Sequence, residues 1–385
     1  MVLCAYSYQN APWLQKSGDD VRIHSILRNL AILTKIYAVG ISLDNNIGSL
    51  LVDNVIYRTL TRPFYKILSK TIGWRHHYDY NLLSKLTLYL DEINVAIQIR
   101  QLQCPSIYVF GSMSLLPLYM RLFGYKGKII YDPLANYAKT LYLQSRKKLS
   151  ILIKYGIYLL LHKQTLRNAD VIIYPSTQDR ENALKMFQSE LREKQVKVVP
   201  NSIPICYESE EEYRKYRAQR RENIPYFIMV AGSKGKTNES AVKLAIETFK
   251  KIERPYRLII TGPWRYLDPH ISSIKITGYL PQQKLKELLA QADYGLTPVF
   301  THTAGTFLKT MAYIAAGLDI LTTPLGIDLE LVRWAKPKIH LIRTPEELRV
   351  VALRAIQEYN PTRKRRPILC IEAEKYLTQY IRNLV

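Results

Sequence analysis

Between Tyr226 and Thr323 the chain alternates short, continuous apolar runs with longer stretches of helical periodicity. The run Tyr226 to Ala231 is almost uniformly apolar, which predicts a buried strand, and Tyr256 to Thr261, Ile274 to Thr277 and Tyr294 to Thr297 also read as strands. Between them, Glu239 to Ile252 and Pro281 to Ala290 read as amphipathic helices, and Gly305 to Ala316 predicts another, with Gly317 as its C-cap. Strands and helices in alternation, joined by short loops, imply a doubly wound parallel sheet, whose ligands bind beyond the carboxyl ends of the strands.

The first half repeats the pattern more faintly. Met1 to Tyr6 reads as a strand; it has no basic leader, long apolar core or cleavage site, so a signal peptide is not expected. Asp19 or Asp20 can cap a helix running to about Leu33, and Ile36 to Ile41 follows as a strand. Further strands are expected at Ser106 to Phe110, Lys128 to Tyr131 and Val171 to Tyr174. The charged run Glu208 to Glu222 carries both signs and predicts a linker or short exposed helix, and Ile371 to Leu384 predicts a terminal helix.

Candidate chemistry collects at the predicted strand ends of the second half. A helix opening at Gly305 and Thr306 would aim unpaired amides and the positive end of its dipole at an anion, and Lys309 one turn in adds a full charge. The loop GSKGKT, Gly232 to Thr237, places Lys234 and Lys236 after an earlier strand. It ends like a nucleotide-triphosphate loop, but Val230 stands where that motif requires glycine, so the spacing fails. Both lysines are also readable as solvated charges on an exposed loop. Asp132 in YDPL follows a strand, where a turn or capping role competes with a catalytic one.

The segment Ala292 to Pro324, ADYGLTPVFTHTAGTFLKTMAYIAAGLDILTTP, resembles the donor-site signature of retaining GT-B glycosyltransferases of the glycosyl transferase group 1, family 4-like, type. VKVVPNSIPI, Val196 to Ile205, is similar to the stretch closing the first domain of those enzymes, with Ser202 in place of the usual glycine. The resemblance implies an α/β fold of two Rossmann-like doubly wound domains facing across a cleft. Residues 1–200 would bind the acceptor, 201–224 would be a linker, 225–368 would hold the nucleotide sugar, and 369–385 would cross back as a helix to the first domain. Gly232, Lys234, Lys236, Gly305, Thr306, Phe307, Lys309 and Glu330 would surround the donor, with Asp328 beside Glu330 in GIDLELV. Gly18 and Arg22 would belong to the loop facing the leaving phosphate, and Asp132 would stand where the family often carries a catalytic or acceptor-side group. Two positions depart from the pattern. The family's paired glutamates, which order the donor sugar and hold the ribose hydroxyls, fall on Ala304 and Ala312.

Composition narrows the partners. With 385 residues and 48% hydrophobic content the chain can bury two ordinary cores. No D-x-D triplet occurs, which weighs against a transferase that bridges its donor diphosphate through a metal; neither metal nor cofactor is expected. The four cysteines, Cys4, Cys104, Cys206 and Cys370, show neither zinc spacing nor a disulfide framework, which suggests a reducing, cytoplasmic setting. A formal charge of +23 calls for a polyanionic partner. Residues 136–169 carry Lys139, Arg146, Lys147, Lys148, Lys154, Lys163 and Arg167 without an acid, interleaved with leucine, isoleucine and tyrosine. Such a segment suits an anionic membrane surface, although its apolar face could instead pack within the first domain. Its apolar run, Leu149 to Leu161, is interrupted by Lys154 and is shorter than the ~20 residues a span requires, so peripheral attachment is expected. Nucleic acid is not an expected partner, because no helix-turn-helix or RNP-type strand is visible. The expected function is metal-independent, retaining transfer of a sugar from a nucleotide-diphosphate sugar to a lipid-linked or membrane glycan. The alternative is a lapsed GT-B protein that binds or scaffolds.

Overall fold

The computed structural model describes residues 2–7, 18–42, 49–52, 54–61, 82–111, 114–134, 142, 149–232, 234–301, 308–327, 329–382 and 384. The chain divides into two compact units, Met1–Ser202 with Leu377–Val385, and Ile203–Tyr376.

The first unit contains β1 (Val2–Ser7), α1 (Gly18–Ala31), β2 (Lys35–Ser42), β3 (Ser49–Val52), β4 (Val55–Thr61), α2 (Leu82–Gln101), β5 (Ser106–Phe110), α3 (Leu116–Leu122), β6 (Lys128–Asp132), α4 (Leu149–Asn168), β7 (Val171–Tyr174), α5 (Thr177–Met186), α6 (Gln188–Leu191) and β8 (Gln195–Val198). Its sheet runs β3-β4-β2-β1-β5-β6-β7-β8, parallel except for β3 against β4. Side chains alternate between two cores. Cys4, Tyr6, Ile107, Val109, Ile129, Tyr131 and Ile172 face one core. Leu3, Ala5, Tyr108, Phe110, Ile130, Val171 and Ile173 face the other, with Ile23, Leu27 and Leu30 of α1. Both faces are apolar because both are covered, the condition for an interior parallel sheet.

The second unit contains α7 (Glu210–Ala218), β9 (Tyr226–Val230), α8 (Lys236–Phe249), β10 (Arg257–Thr261), β11 (Ile274–Gly278), α9 (Gln282–Gln291), β12 (Tyr294–Thr297), α10 (Leu308–Ala315), β13 (Asp319–Thr322), α11 (Leu329–Ala335), β14 (Ile339–Leu341), α12 (Glu347–Gln357) and α13 (Cys370–Ile381), whose last turn belongs to the first unit. The sheet order is β11-β10-β9-β12-β13-β14, all parallel. That is the doubly wound order, and the direction of winding reverses between β9 and β12. Ligands collect where the loops after two such neighbouring strands part in opposite directions.

Three features differ from the sequence reading. A hairpin, β3 with β4, joins the first sheet, turning at Asn54 in the left-handed region (φ 64°); the Asp-Asn pair between two apolar runs was its signal. The stretch expected as a linker or short exposed helix forms the helix α7, capped by Ser209, but not as a wholly exposed one: Tyr213 is buried and its hydroxyl donates to Ala316 O at 3.2 Å. The cysteines form two disulfides, Cys4–Cys104 and Cys206–Cys370, with Cα separations of 5.8 and 4.9 Å, and none remains free. This corrects the reading of the cysteines as unpaired and removes the reducing compartment inferred from it. Pairing of β1 with β5 brings positions 100 residues apart together, and the bridge between Tyr207 and Leu369 does the same for the second pair; sequence spacing carries neither fact. No described helix is long and apolar enough to cross a membrane.

Candidate functional site

The loop after β9 and the start of α10 are the elements that the sheet topology puts at the switch point of the second unit. Residues 302–307, which include Gly305, Thr306, Phe307 and Ala304, lie outside the described residues, as does Asp328. What is described shows how the site is assembled. Lys309, in the first turn of α10, donates from Nζ to Asn238 Oδ1 at 2.7 Å, joining α10 to the first turn of α8. Burial pushes the Lys309 ammonium down to about 8. A half-buried cation at the carboxyl edge of a parallel sheet is suited to holding phosphate oxygens.

Gly232 and Lys234 are exposed on the adjoining loop, and Lys236 is exposed at the first position of α8. Among the described residues, nothing lies within 4 Å of a Cβ placed on Gly232 or Gly235. Glu330 is buried in the first turn of α11. Ala312, one of the two expected glutamate positions, is buried in α10.

Three side chains that the sequence reading did not single out hold these loops. Tyr313 accepts from Val230 N at 2.7 Å, tying α10 to the end of β9. Its ring lies where a Cβ on Gly295 would come within 2.3 Å, so the glycine inside β12 is the sequence mark of that approach. Thr310 Oγ1 donates to Gly326 O at 2.7 Å, drawing in the turn before α11. Trp264 Nε1 donates to Ala231 O at 2.6 Å over Gly262, which sits at φ 108°; any side chain there would be strained and would strike Ala231 O.

In the first unit, Arg22 and Asp132 meet, but inside the protein. Arg22 Nη2 lies 2.7 Å from Asp132 Oδ2, and the two side chains are 2% and 0% exposed. Arg22 Nη1 also donates to Val199 O and Asn201 Oδ1, while Asp132 accepts from Tyr108 Oη and Leu134 N. This arrangement makes Asp132 the counter-ion of an enclosed pair that links the ends of β6 and β8. Gly18 opens α1, and the loop before it, residues 8–17, is outside the described residues.

Glu92 of α2 is also fully enclosed, and it holds the segment after β5: Ser114 Oγ donates to Oε1 at 2.6 Å and Leu115 N to Oε2 at 2.7 Å. Desolvation raises its carboxyl to about 7, against the lowering effect of those hydrogen bonds. The folded chain therefore keeps a proton that the unfolded chain loses between the ordinary glutamate range and about pH 7, so stability should fall as pH rises through that window and level off above it. Glu92→Gln is expected to flatten that slope, as read by urea unfolding at several pH values; an unchanged slope would mean that another group sets it.

Residues 225–357 match the family model for Glycosyl transferases group 1. No curated protein matches the chain significantly. Among solved structures, sucrose-phosphate synthase from Thermosynechococcus elongatus is similar with a TM-score of 0.69 at 12% identity, covering 100% of this chain and 94% of that one. WaaG, a glycosyltransferase of lipopolysaccharide biosynthesis, is similar at 0.63 and 14% over 99% of this chain and 95% of its own. The catalytic domain of starch synthase IV from Arabidopsis thaliana gives 0.66 and 10% over 99% and 94%. At these identities the structural likeness speaks for the fold, and the family match speaks for the donor half. Residues 225–357 thus resemble a group 1 glycosyltransferase domain, and the chain has the two-domain GT-B fold.

Proposed function

We propose that the protein transfers a sugar from a nucleotide-diphosphate sugar to a lipid-linked or membrane glycan acceptor, with retention at the anomeric carbon and without a metal. The observation that carries the donor half of this reading is the Lys309–Asn238 contact at the switch point of the second sheet. Departure of the diphosphate builds negative charge on phosphate oxygens. A desolvated ammonium, the neighbouring Lys234 and Lys236, and the amides of Gly305 and Thr306 are the groups of this chain suited to stabilising that charge. Asp132, enclosed by Arg22, supports the shape of the first unit in this reading.

The acceptor half rests on α4. Tyr158 and Leu166 face the core, whereas Ile153 and Leu160 are 58% and 61% exposed. Exposed apolar residues on a helix with Lys163 and Arg167 suit insertion at an anionic interface. Lys139, Arg146, Lys147 and Lys148 lie outside the described residues.

Thermal unfolding in the presence of UDP-, GDP-, ADP- and dTDP-sugars tests the donor reading. One of them should stabilise the second unit, by about 2.7 kcal/mol at a hundredfold excess over its dissociation constant; no shift with any donor would overturn it. A second reading, a lapsed GT-B protein that binds without turnover, is favoured by buried alanine at position 312 in place of glutamate. Donor hydrolysis or transfer by the wild type decides against it.

A further inference from the structure

The second unit carries a charge cluster at the edge of its sheet opposite the donor loops. Asp293 precedes β12 and Asp319 opens β13, both enclosed. Arg217 and Arg220 each lie 2.8 Å from Asp293, Arg363 pairs with Asp319, and Arg365 stands between the two carboxylates at 3.6 and 3.8 Å. Four guanidiniums thus share two carboxylates. Arg365 is too far from either for a hydrogen bond, its side chain is 3% exposed, and its Nε is buried with no acceptor. Its Nη1 donates to Gly317 O at 3.1 Å. Burial, the leading cause, pushes its pKa below the usual arginine value. Arg217 and Arg220 also donate to the carbonyls of Ala290, Ala292, Glu222 and Ile224, so among the described residues the one missing acceptor in the cluster is that of Arg365 Nε.

Beside it opens a cavity of about 440 Å³, bounded by the ends of α10 and α11 and by residues 363–368. Lys336, Lys338, Lys364 and Arg366 line it together with Arg363 and Arg365, against the carboxylates of Asp319 and Glu372, a formal excess of four positive charges. Lys338 pairs with Glu358 at 2.8 Å and Arg366 with Glu372 at 2.7 Å. Lys336 and Lys364 are exposed and have no carboxylate partner among the described residues. The wall is built into the fold. A Cβ on Gly317 would meet Arg366 O at 2.6 Å, and Ile368 N donates to Ala315 O at 2.7 Å.

We infer that this cavity binds a phosphomonoester, at a site separate from the sugar donor's. Planar guanidiniums match phosphate oxygens, and a dianion with several acceptor oxygens offsets the excess positive charge of the cavity wall. Trp334, which also lines the cavity, offers an apolar wall to the organic part of such a ligand. The phosphate could arrive on a small metabolite or on a lipid headgroup; the recognition chemistry is the same.

Calorimetric titration with glycerol 3-phosphate and with inorganic phosphate, and flotation on phosphatidylcholine vesicles with and without phosphatidic acid, test the assignment on the full chain. The variants are Lys336→Glu/Lys364→Glu, both exposed positions, and Lys309→Ala. The wild type and Lys309→Ala should bind a phosphomonoester alike, and the double variant should lose affinity about tenfold or more with an unchanged circular dichroism spectrum. Loss confined to the soluble arm identifies a small ligand, and loss confined to phosphatidic acid vesicles identifies a headgroup. Absence of binding in every arm, equal binding by the double variant, or loss in Lys309→Ala alone would overturn the inference.

Discussion

Asp132→Ala is expected to destabilise the first unit by about 3–5 kcal/mol, because it leaves the Arg22 guanidinium charged and enclosed with no counter-ion. The loss exceeds that of an exposed ion pair, for which water would replace the missing partner. Asp132→Asn removes the charge but can keep hydrogen bonds to Arg22 and Leu134, so its cost should be smaller. Replacing both members, as in Arg22→Met/Asp132→Leu, should recover much of the loss, since no buried charge is then stranded. Chemical denaturation of the variants reads these differences. The same series separates support from chemistry: a substrate-contacting carboxylate would show a collapse of turnover in Asp132→Asn with stability intact, whereas the enclosed pair predicts that activity follows the folded fraction.

Lys309→Met should weaken binding of a nucleoside diphosphate by about tenfold or more while leaving the bare nucleoside nearly unaffected. A charge-assisted contact contributes about 1.5–3 kcal/mol, and methionine keeps the aliphatic stem that fills the site. Equal losses for the two ligands would remove Lys309 from the phosphate site. A pH series gives an independent reading. Burial holds the ammonium at about 8 in the absence of a ligand, below the usual lysine value. A bound diphosphate favours the charged form, so affinity should be constant below about pH 8 and fall by up to about tenfold per pH unit above it. For the unliganded fold the sign is opposite. The unfolded chain binds the extra proton between about pH 8 and the ordinary lysine range, so this residue's destabilising contribution is relieved as pH rises through that window.

The donor half was the more legible in sequence because its strands are buried on both faces. Tyr294–Thr297 and Tyr226–Val230 appear as nearly uninterrupted apolar runs, and β5 and β7 of the first half stand at the expected residues for the same reason. β3 and β4 went unread because a half-exposed hairpin mixes polar and apolar positions, as in VIYRTLT. The place of Lys309 in the first turn of a helix after a strand was legible, but its contact with Asn238 was not, since a contact between residues 71 apart depends on which strands are neighbours.

Local pattern thus determined the alternation of strand and helix, the class of the sheet and the edge at which ligand groups collect, because each follows from residues close along the chain. Tertiary structure alone decided the rest. Asp132 reads locally as a strand-end acid, yet Arg22, 110 residues earlier, turns it into an enclosed counter-ion. The cysteines read as isolated thiols, yet parallel pairing brings Cys4 to Cys104. Arginines scattered from Arg217 to Arg365 become one cluster around Asp293 and Asp319. In each case the electrostatic or covalent outcome depends on distances that no local pattern of residues contains, because strand order sets them.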